Sequence, residues 1–401
     1  MKNKKKICIM GMGYIGLPTA ALLANRDYQV HGVDINQHAI DTINRGEIHI
    51  VEPELDTFVR SAVQSGSLVA NIEPSEADIF MIAVPTPFHA DKINETTNSP
   101  IPNIDYIVDA TKKIAPYIKS GNLVLLESTS PVGTTDMVAS ILRKEGVDVG
   151  SIFIAHSPER VLPGHIMREL VENDRVVGGI NNKSTKEAAK FYQTFVEGDV
   201  LETTAKTAEM TKLTENSFRD VNIAFANELS ILCDDIDIDV KELISLANKH
   251  PRVDILNPGC GVGGHCISVD PWFIVNNANG KAKIIEQARR TNDYKADWVI
   301  EKVKNAALNY KNKYGKGPTI SCMGLAFKPN IDDLRESPAL YITQALDKIL
   351  NIVAVEPNIN KHDSLTLVEV SVGIKSDICV YLVDHASFAS LDIKNNDLVF
   401  F

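Results

Sequence analysis

The sequence predicts an α/β protein with two doubly wound domains joined by a long central helix. Three observations favour this fold class: a strand, glycine turn, helix, strand and acid in succession at the N-terminus; short apolar runs that alternate with helical segments; and a stretch at 207–235 without proline or glycine. Such alternation is typical of a mainly parallel sheet with helices on both faces. We expect domains at 1–203 and 313–401, with a central helical region at 204–312.

The N-terminal segment has the spacing of a dinucleotide-binding turn. A strand at 5–10 precedes Gly-Met-Gly-Tyr-Ile-Gly and a helix, and a second strand at 29–33 ends before an aspartate. In this Rossmann-like arrangement the glycines allow a tight turn beside the pyrophosphate, and the acid binds a ribose hydroxyl. No arginine directly follows the aspartate to meet a 2′-phosphate, which favours NAD over NADP. We expect the cofactor to contact Gly11, Gly13, Tyr14, Ile15, Gly16 and Asp34.

Two later strands, at 78–84 and 122–127, end in polar turns that contain Thr86 and Thr129. Further strands are expected at 151–155 and 175–179. Ligands of such sheets bind beyond the carboxyl ends of the strands, so both threonines are cofactor-side candidates. The alternative is that their hydroxyls only cap the turns.

Composition and charge exclude several classes of protein. The net charge is −11 and no long basic run occurs, so nucleic acid is not an expected partner. The longest apolar runs are too short to span a bilayer and no signal-peptide pattern precedes the first strand, so we expect no membrane partner and a cytoplasmic enzyme. The six cysteines lack the spacing of a zinc site, and we expect no metal.

The segment 258–272 combines a glycine-rich loop with a candidate nucleophile, Cys266. Glycine lets the backbone adopt positive φ and lets a ligand approach closely. Asp270 and Pro271 are typical of a helix start, with the aspartate at the N-cap and the proline at the first helical position. The thiol would then lie ahead of a helix N-terminus, which favours the thiolate. The alternative is a glycine turn with a small buried cysteine and a capping aspartate.

The predicted long helix carries Glu209, Lys212 and Asn216 at spacings of three and four, which places them on one face. A lysine and an asparagine directed at one oxygen can stabilise an alkoxide. The alternative is a solvated charged face. So long a helix usually links two domains and often lies against a partner subunit.

The third region is predicted from strands at 319–324, 353–357 and 377–383, which follow a linker-like cluster at 314–318. It reads as a second, smaller α/β domain without the glycine spacing of the N-terminal turn. The sequence ends in an apolar run at 397–401.

These motifs together resemble the nucleotide-sugar 6-dehydrogenases of the UDP-glucose/GDP-mannose dehydrogenase family, over essentially the whole chain. The resemblance rests on the N-terminal turn, residues 128–133 and 157–160, the Glu-x-x-Lys-x-x-x-Asn helix, the cysteine loop and residues 324–335. Within the family it is nearest to members that oxidise UDP-N-acetyl-D-mannosamine, through residues 158–164, 250–253 and 264–273.

The resemblance implies oxidation of a sugar C6 alcohol to a carboxylate with two NAD+ in succession, in a homodimer or larger homo-oligomer that feeds surface polysaccharide synthesis. Cys266 matches the family nucleophile, which forms a thiohemiacetal and then a thioester that water hydrolyses. Lys212 and Asn216 match the groups that stabilise the alkoxide. Asp270 matches an aspartate that orients water or assists proton transfer.

Further residues take their expected roles from the same resemblance. Glu159 matches a glutamate that acts through water during hydrolysis, and Thr129 a threonine close to the nicotinamide. Arg335 matches a residue near the cofactor, and Arg252 one that reaches the sugar nucleotide across a subunit interface. The expected substrate contacts are Arg160, Val161, Lys212, Asn216, Arg252, Gly263 and Lys328.

Departures from the family pattern bear on the substrate. UDP-glucose members tend to carry a glutamate where this chain has Pro163, and Pro-Lys-Asp after the cysteine where it has residues 267–270. UDP-glucose is therefore the less expected substrate, while UDP-N-acetylglucosamine and UDP-N-acetylgalactosamine differ only in stereochemistry. Family members usually continue past the last strand, so the closing edge of that domain is in question. Two other classes stay open: a single-step NAD-dependent alcohol dehydrogenase of the hydroxyacid type, and a binding protein without turnover.

Overall fold

The structure, a computed structural model, describes residues 4–401. These residues form two compact units, one that ends at Thr214 and one from Glu215 to Phe401. The boundary falls inside the long helix that the sequence predicts. In the described part of the chain, no helix is both long and apolar enough to cross a membrane.

The N-terminal unit is built from strands that alternate with helices, as the sequence predicts. Its strands are β1 (Lys6–Met10), β2 (Gln29–Val33), β3 (Leu68–Asn71), β4 (Ile79–Ile82), β5 (Phe88–Asn94), β6 (Ser99–Pro102), β7 (Leu123–Leu126), β8 (Phe153–His156), β9 (Arg175–Gly179) and β10 (Val200–Thr204). Its helices are α1 (Gly16–Ala24), α2 (Gln37–Asn44), α3 (Leu55–Gln64), α4 (Asp105–Ile114), α5 (Thr134–Lys144), α6 (Ile166–Glu172), α7 (Asn182–Tyr192) and the start of α8 (Ala205–Asp235).

Eight of these strands form one sheet in the order β10-β9-β8-β7-β4-β1-β2-β3. All neighbours pair in parallel except β8 and β9, which are antiparallel. Side chains alternate between the two faces of a strand, so Ile7 and Ile9 of β1 join one apolar cluster, and Cys8 and Met10 join the other. Both faces are therefore buried under helices, as in a doubly wound fold.

Four strands of this unit escape the sequence prediction. The short strands β3 and β10 form the two edges of the sheet, and β5 pairs with β6 as a separate antiparallel hairpin. Strand β5 has mostly exposed side chains, so it lacks the apolar run by which the central strands are recognised.

The C-terminal unit is a smaller α/β unit. After the remainder of α8 it contains α9 (Val240–Ala247), α10 (Asp270–Asn277), α11 (Lys283–Tyr314), β11 (Thr319–Met323), α12 (Pro338–Asp347), β12 (Asn351–Val355), α13 (Val370–Gly373), β13 (Ile378–Tyr381) and β14 (Leu398–Val399). Its sheet has four parallel strands in the order β12-β11-β13-β14. The apolar run at the end of the sequence thus supplies an edge strand.

Helices α8 and α11 are joined inside this unit by buried polar groups. The Arg289 guanidinium lies 2.7 Å from the Asp220 carboxylate, and both side chains are at most 3% exposed. Asn292 donates a hydrogen bond to the same carboxylate at 2.8 Å and accepts one from Asn227 at 2.9 Å. Removing one partner of such a pair leaves a buried charge uncompensated, so the packing of the two helices depends on both partners being present.

Candidate functional site

The glycine turn after β1 depends on two glycines that cannot carry a side chain. Gly11 has φ +94°, and a Cβ on it would lie 2.7 Å from the Ala83 carbonyl oxygen. A Cβ on Gly16 would lie 1.8 Å from the Gly11 carbonyl oxygen, because the first turn of α1 packs directly on the loop. A Cβ on Gly13 meets nothing within 4 Å, so its backbone faces open space where a ligand can approach.

The acid that follows β2 reaches back to this turn. Asp34 is half-buried, and its carboxylate accepts hydrogen bonds from the backbone N–H groups of Met12 at 2.8 Å and Asn36 at 2.9 Å. Tyr14 is exposed, and Ile15 at the N-cap of α1 supplies no side-chain hydrogen bond to the helix. The start of α1 therefore presents backbone N–H groups, which suit a pyrophosphate. These features fit NAD.

The two threonines that the sequence places on the cofactor side, Thr86 and Thr129, are neighbours in the structure. The Thr86 hydroxyl donates a hydrogen bond to the Thr129 carbonyl oxygen at 2.7 Å. The Ser128 hydroxyl donates to the Val84 carbonyl oxygen at 2.7 Å, which ties the same two turns together a second time. The sequence places both threonines at carboxyl ends of strands, and the adjacent strands β4 and β7 bring them together.

Glu209, on the first turns of α8, is not part of a solvated face. Its side chain is buried, and its carboxylate accepts hydrogen bonds from the N–H groups of Gly133 at 2.6 Å and Thr135 at 2.7 Å. The Thr135 hydroxyl donates a third bond at 2.6 Å. Glu209 therefore caps the N-terminus of α5, which has no side-chain cap of its own. Lys212 lies three residues further along α8 and is half-buried.

Asn216 and Asp270 meet inside the C-terminal unit, and their contact corrects one sequence expectation. The Asn216 Nδ2 donates to the Asp270 Oδ2 at 2.5 Å, and both side chains are buried. The expectation that Asp270 is the N-cap of α10 is wrong. Val269 is the N-cap residue and already has helical dihedral angles, because the N–H groups of Val269 and Asp270 both bond to the Cys266 carbonyl oxygen. Asp270 is therefore the first helical residue, and Pro271 is the second rather than the first.

The glycines of the cysteine loop pack on residues 327–338 of the same unit. A Cβ on Gly263 would lie 2.6 Å from the Glu336 carbonyl oxygen, and one on Gly264, which has φ +84°, would lie 2.9 Å from the Phe327 ring. The Gly264 N–H donates to the Arg335 carbonyl oxygen at 3.1 Å. The loop with Cys266 and the Lys-to-Arg motif at 328–335 are thus one packed structure, which their sequence separation did not reveal.

Cys266 differs from the other five cysteines in exposure. It is half-buried, whereas Cys8, Cys233, Cys260, Cys322 and Cys379 are all buried. Burial raises the pKa of the Cys260 thiol to about 12, and its Sγ contacts the Leu382 carbonyl oxygen at 3.5 Å. A buried thiol with so high a pKa is a poor nucleophile. The described residues contain no group of three or more His, Cys, Asp or Glu side chains arranged to hold a metal.

The remaining expected ligand contacts lie on several separate segments. Arg252 and Lys328 are exposed, and Arg335 forms an ion pair with Asp333 on its own loop at 2.6 Å. In the N-terminal unit, Arg160 donates to the Asp174 carbonyl oxygen at 3.3 Å, and Val161 packs against the apolar core.

Glu159 is part of a buried charge cluster that sequence reasoning missed. The Arg175 Nη1 lies 2.7 Å from the Glu159 Oε2, an ion pair whose atoms are not aligned for a hydrogen bond. The Tyr192 hydroxyl donates to the Glu127 Oε1 at 2.8 Å, and the Arg175 guanidinium lies 5.3 Å from the centre of the Tyr192 ring. The four side chains come from segments up to 65 residues apart. The only signal in the sequence for this cluster was the presence of charged and hydroxyl-bearing residues within or beside apolar segments.

Family models match the chain in three consecutive pieces. They are the NAD binding domain of the UDP-glucose/GDP-mannose dehydrogenase family at residues 5–196, its central domain at 206–294 and its UDP binding domain at 321–399. These matches together cover most of the chain.

Similar proteins point the same way. The chain is 53% identical to a UDP-N-acetyl-D-mannosamine dehydrogenase of Campylobacter jejuni, with 100% of both chains covered. It is 52% identical to an NDP-N-acetyl-D-galactosaminuronic acid dehydrogenase of Ralstonia nicotianae, which covers 97% of this chain and 92% of that protein. The solved structure of a UDP-D-ManNAc dehydrogenase from Pyrococcus horikoshii is 38% identical, covers 96% of this chain and 91% of its own, and superposes with a TM-score of 0.87.

Proposed function

Since this chain belongs to the UDP-glucose/GDP-mannose dehydrogenase family and is an NAD-dependent oxidoreductase of nucleotide sugars, we propose that it oxidises UDP-N-acetyl-D-mannosamine at C6 to the uronate. The observation that carries this choice is the 53% identity, over the full length of both chains, to a protein named for that substrate. The 52% identity to an N-acetyl-D-galactosaminuronic acid enzyme favours UDP-N-acetylgalactosamine as the second candidate. The enzyme would act in the cytoplasm, and its product would feed surface polysaccharide synthesis.

The proposed reaction is a four-electron oxidation that ends in hydrolysis. NAD+, when bound, accepts one hydride in each of two successive oxidations. After the first, the C6 aldehyde carbon is attacked by the Cys266 thiolate, and the resulting thiohemiacetal loses the second hydride to become a thioester. Water then attacks the thioester carbon and the Cys266 thiolate leaves. The covalent bond holds the intermediate and divides a difficult oxidation into easier steps.

Cys266 is the proposed nucleophile because its thiol is half-buried while the other five are buried. Its loop is held by the close contacts of Gly263 and Gly264 with residues 327–336. These contacts hold the loop, and with it Cys266, in one position. A nucleophile that is already positioned lowers the entropic cost of the reaction.

The other expected site residues have proposed roles in the same reaction. Lys212 and Asn216 would stabilise the alkoxide at C6. Asp270, which accepts the Asn216 amide at 2.5 Å, would orient that amide and assist proton transfer. Glu159 would remove a proton from the attacking water, and Thr129 would lie close to that water and to the nicotinamide. Arg160, Val161, Arg252, Gly263 and Lys328 would contact the sugar nucleotide, and Arg335 the cofactor.

A homo-oligomer is part of this proposal, because large apolar side chains lie exposed on two neighbouring helices of the C-terminal unit. Phe218 and Phe225 of α8 are 68% and 51% exposed, and Ile284 of α11 is 72% exposed. Apolar patches of this kind mark interaction surfaces. Light scattering of the parent and of Phe225→Glu would measure the assembly. A monomeric parent would remove this part of the proposal.

The test of the function is a panel of UDP-sugars assayed for NADH release, with the product mass recorded. We expect two NADH per UDP-N-acetyl-D-mannosamine and a uronate product. UDP-glucose should react more slowly by about 10⁴, since a pocket built to hydrogen-bond a group rejects analogues that lack it. One NADH per sugar would instead support a single-step alcohol dehydrogenase, and faster turnover of the galactose epimer would support the second candidate.

Two cysteine variants separate the nucleophile from the loop that carries it. Cys266→Ser should still bind NAD+ but form no uronate at steady state, whereas Cys260→Ser, in the same loop, should keep most of the activity because its thiol is buried against the Leu382 carbonyl. Full uronate production by Cys266→Ser would refute the thioester route.

A further inference from the structure

Glu159 belongs to a buried cluster that contains two carboxylates, Glu127 and Glu159, and one cation, Arg175. Glu127 follows β7, and Glu159 lies three residues after the end of β8. Arg175 lies opposite Glu159, because the antiparallel pairing of Ala155 with Gly179, continued along β9, brings position 175 beside position 159. The side chains of all three residues are at least nine-tenths buried.

Tyr192 of α7 connects Glu127 to the cation. Its hydroxyl donates to the Glu127 Oε1 at 2.8 Å, and its ring lies under the Arg175 guanidinium at 5.3 Å. The Glu127 Oε2 is buried and accepts no hydrogen bond from the residues that the structure describes. The charged and titratable groups around Glu127 are thus Arg175 from β9, Glu159 after β8 and Tyr192 from α7.

The balance of these groups makes Glu127 the member of the cluster that titrates in the neutral range. Burial raises the pKa of Glu127, the attraction of Arg175 lowers it, the repulsion of Glu159 raises it, and the hydrogen bond from Tyr192 lowers it, with a result of about 7. Arg175 lies within 2.7 Å of Glu159, so its charge mainly compensates that carboxylate. Two carboxylates that share one cation cannot both ionise easily.

We propose that Glu127 is a positioning residue for Glu159: through Arg175 and Tyr192 it sets how far the Arg175 charge is shared with a second carboxylate, and so the rate at which water hydrolyses the enzyme-bound thioester. This inference rests on the proposed function. When Glu127 is neutral, the Arg175 charge compensates the Glu159 carboxylate alone. When Glu127 loses its proton, a second negative charge shares Arg175, and the less compensated Glu159 carboxylate attracts the attacking water more strongly.

The proposal predicts the pH dependence of one step. Glu127 carries its proton below pH 7 and loses it above, so hydrolysis should quicken as the pH rises through 7. The ionised fraction of a group with a pKa near 7 grows from about one tenth at pH 6 to about nine tenths at pH 8, so we expect a rise of about tenfold. Rapid quenching isolates this step. The measured quantity is the rate of uronate release after two equivalents of NADH have formed.

Three variants test whether Glu127 causes that rise. Glu127→Gln should stay flat between pH 6 and pH 8 and lie furthest below the parent at pH 8, by about tenfold or more. Tyr192→Phe keeps both carboxylates and Arg175 but removes a hydrogen bond that lowers the pKa of Glu127, so its midpoint should move to higher pH. Glu187→Gln, on the same helix but half-buried and paired with the exposed Lys190 instead of with the cluster, is the control and should follow the parent.

A merely structural role gives a different result. If Glu127→Gln lowered the rate equally at every pH, or kept the tenfold rise, the proposal would be overturned; Tyr192→Phe decides the question if Glu127→Gln does not fold. Infrared difference spectra of the resting enzyme give a readout without turnover. We expect a protonated carboxyl band that disappears through pH 7 and is missing from Glu127→Gln. Absence of the band overturns the buried titration, whereas absence of uronate in the parent refutes the proposed function instead.

Discussion

The carboxylate of Glu209 is predicted to hold the start of α8 to the start of α5, and Glu209→Ala should therefore destabilise the N-terminal unit. Three donors point at this carboxylate within 2.6–2.7 Å: the N–H groups of Gly133 and Thr135 and the Thr135 hydroxyl. Alanine would remove the acceptor and leave the buried Thr135 N–H and hydroxyl without a partner. The change tests one contact between two helices without altering any proposed ligand-binding residue.

The size of the effect can be estimated from the environment. A hydrogen bond to a charged group contributes about 1.5–3 kcal/mol, and an ordinary N-cap about 0.5–2 kcal/mol. The cost of burying a carboxylate, whose pKa burial raises in Glu209, offsets part of the sum of three bonds. We therefore expect a loss of about 3 kcal/mol, which for a unit of this size lowers the Tm by about 6–12 °C.

Differential scanning calorimetry at one scan rate measures this shift, and a matched control lies on the same two helices. Lys206 of α8 forms an ion pair with Asp136 of α5 at 3.2 Å, with side chains 64% and 50% exposed. Lys206→Ala should cost at most about 1 kcal/mol, since exposed ion pairs contribute little. A Glu209→Ala variant whose Tm fell no further than that of Lys206→Ala would refute the reasoning.

Three further outcomes follow from single contacts. Lys212→Ala should lower kcat by about 10²–10³ while the sugar nucleotide still binds, as expected for loss of one oxyanion donor, and a rate within about tenfold of the parent would make the lysine structural. Arg289→Met breaks the buried pair with Asp220 and should cost the C-terminal unit about 3–5 kcal/mol in a urea titration. Burial opposes ionisation of Glu356, but hydrogen bonds, the first from His385, outweigh it and lower the pKa to about 2. Its stabilisation is therefore present above the unfolded pKa near 4.5 and lost as the pH falls towards 2, so Glu356→Gln should flatten acid unfolding in that window.

The parts of the site that the sequence could predict are local in the chain. The spacing of Gly11, Gly13 and Gly16 ahead of a helix, with Asp34 after the next strand, specifies a turn whose geometry depends on few distant contacts. The structure has the turn and both strands at the expected positions. Apolar runs of four or more residues located the central strands in the same way.

The parts that could not be predicted depend on distant segments. The antiparallel pairing of β8 with β9 brings Arg175 beside Glu159. The sequence of neither strand indicates that this pair is antiparallel in a sheet whose other pairs are parallel. The N-cap assignment of Asp270 failed for a different, local reason. Two N–H groups converge on the Cys266 carbonyl and start the helical geometry one residue early. Propensity alone does not count such bonds.

Both units contain a glycine turn with the same backbone geometry, and the residues around each turn determine what it can bind. Gly11 and Gly324 follow their strands with φ +94° and +95°, and their N–H groups bond to Val33 and Val355 at 2.8 Å. In each unit the acid after the second strand accepts the N–H of the residue that follows the glycine.

The acids differ in what else they contact. Asp34 is half-buried beside Gly13, where a Cβ would meet open space, so it can still receive a ribose hydroxyl. Glu356 is 5% exposed and bonded to His385, and Leu325 and Ala326 fill the turn with fully buried side chains. A dinucleotide therefore fits only the first turn. A ligand of the second unit has to use groups outside its turn, such as the exposed Lys328, which is where the family resemblance places the sugar nucleotide.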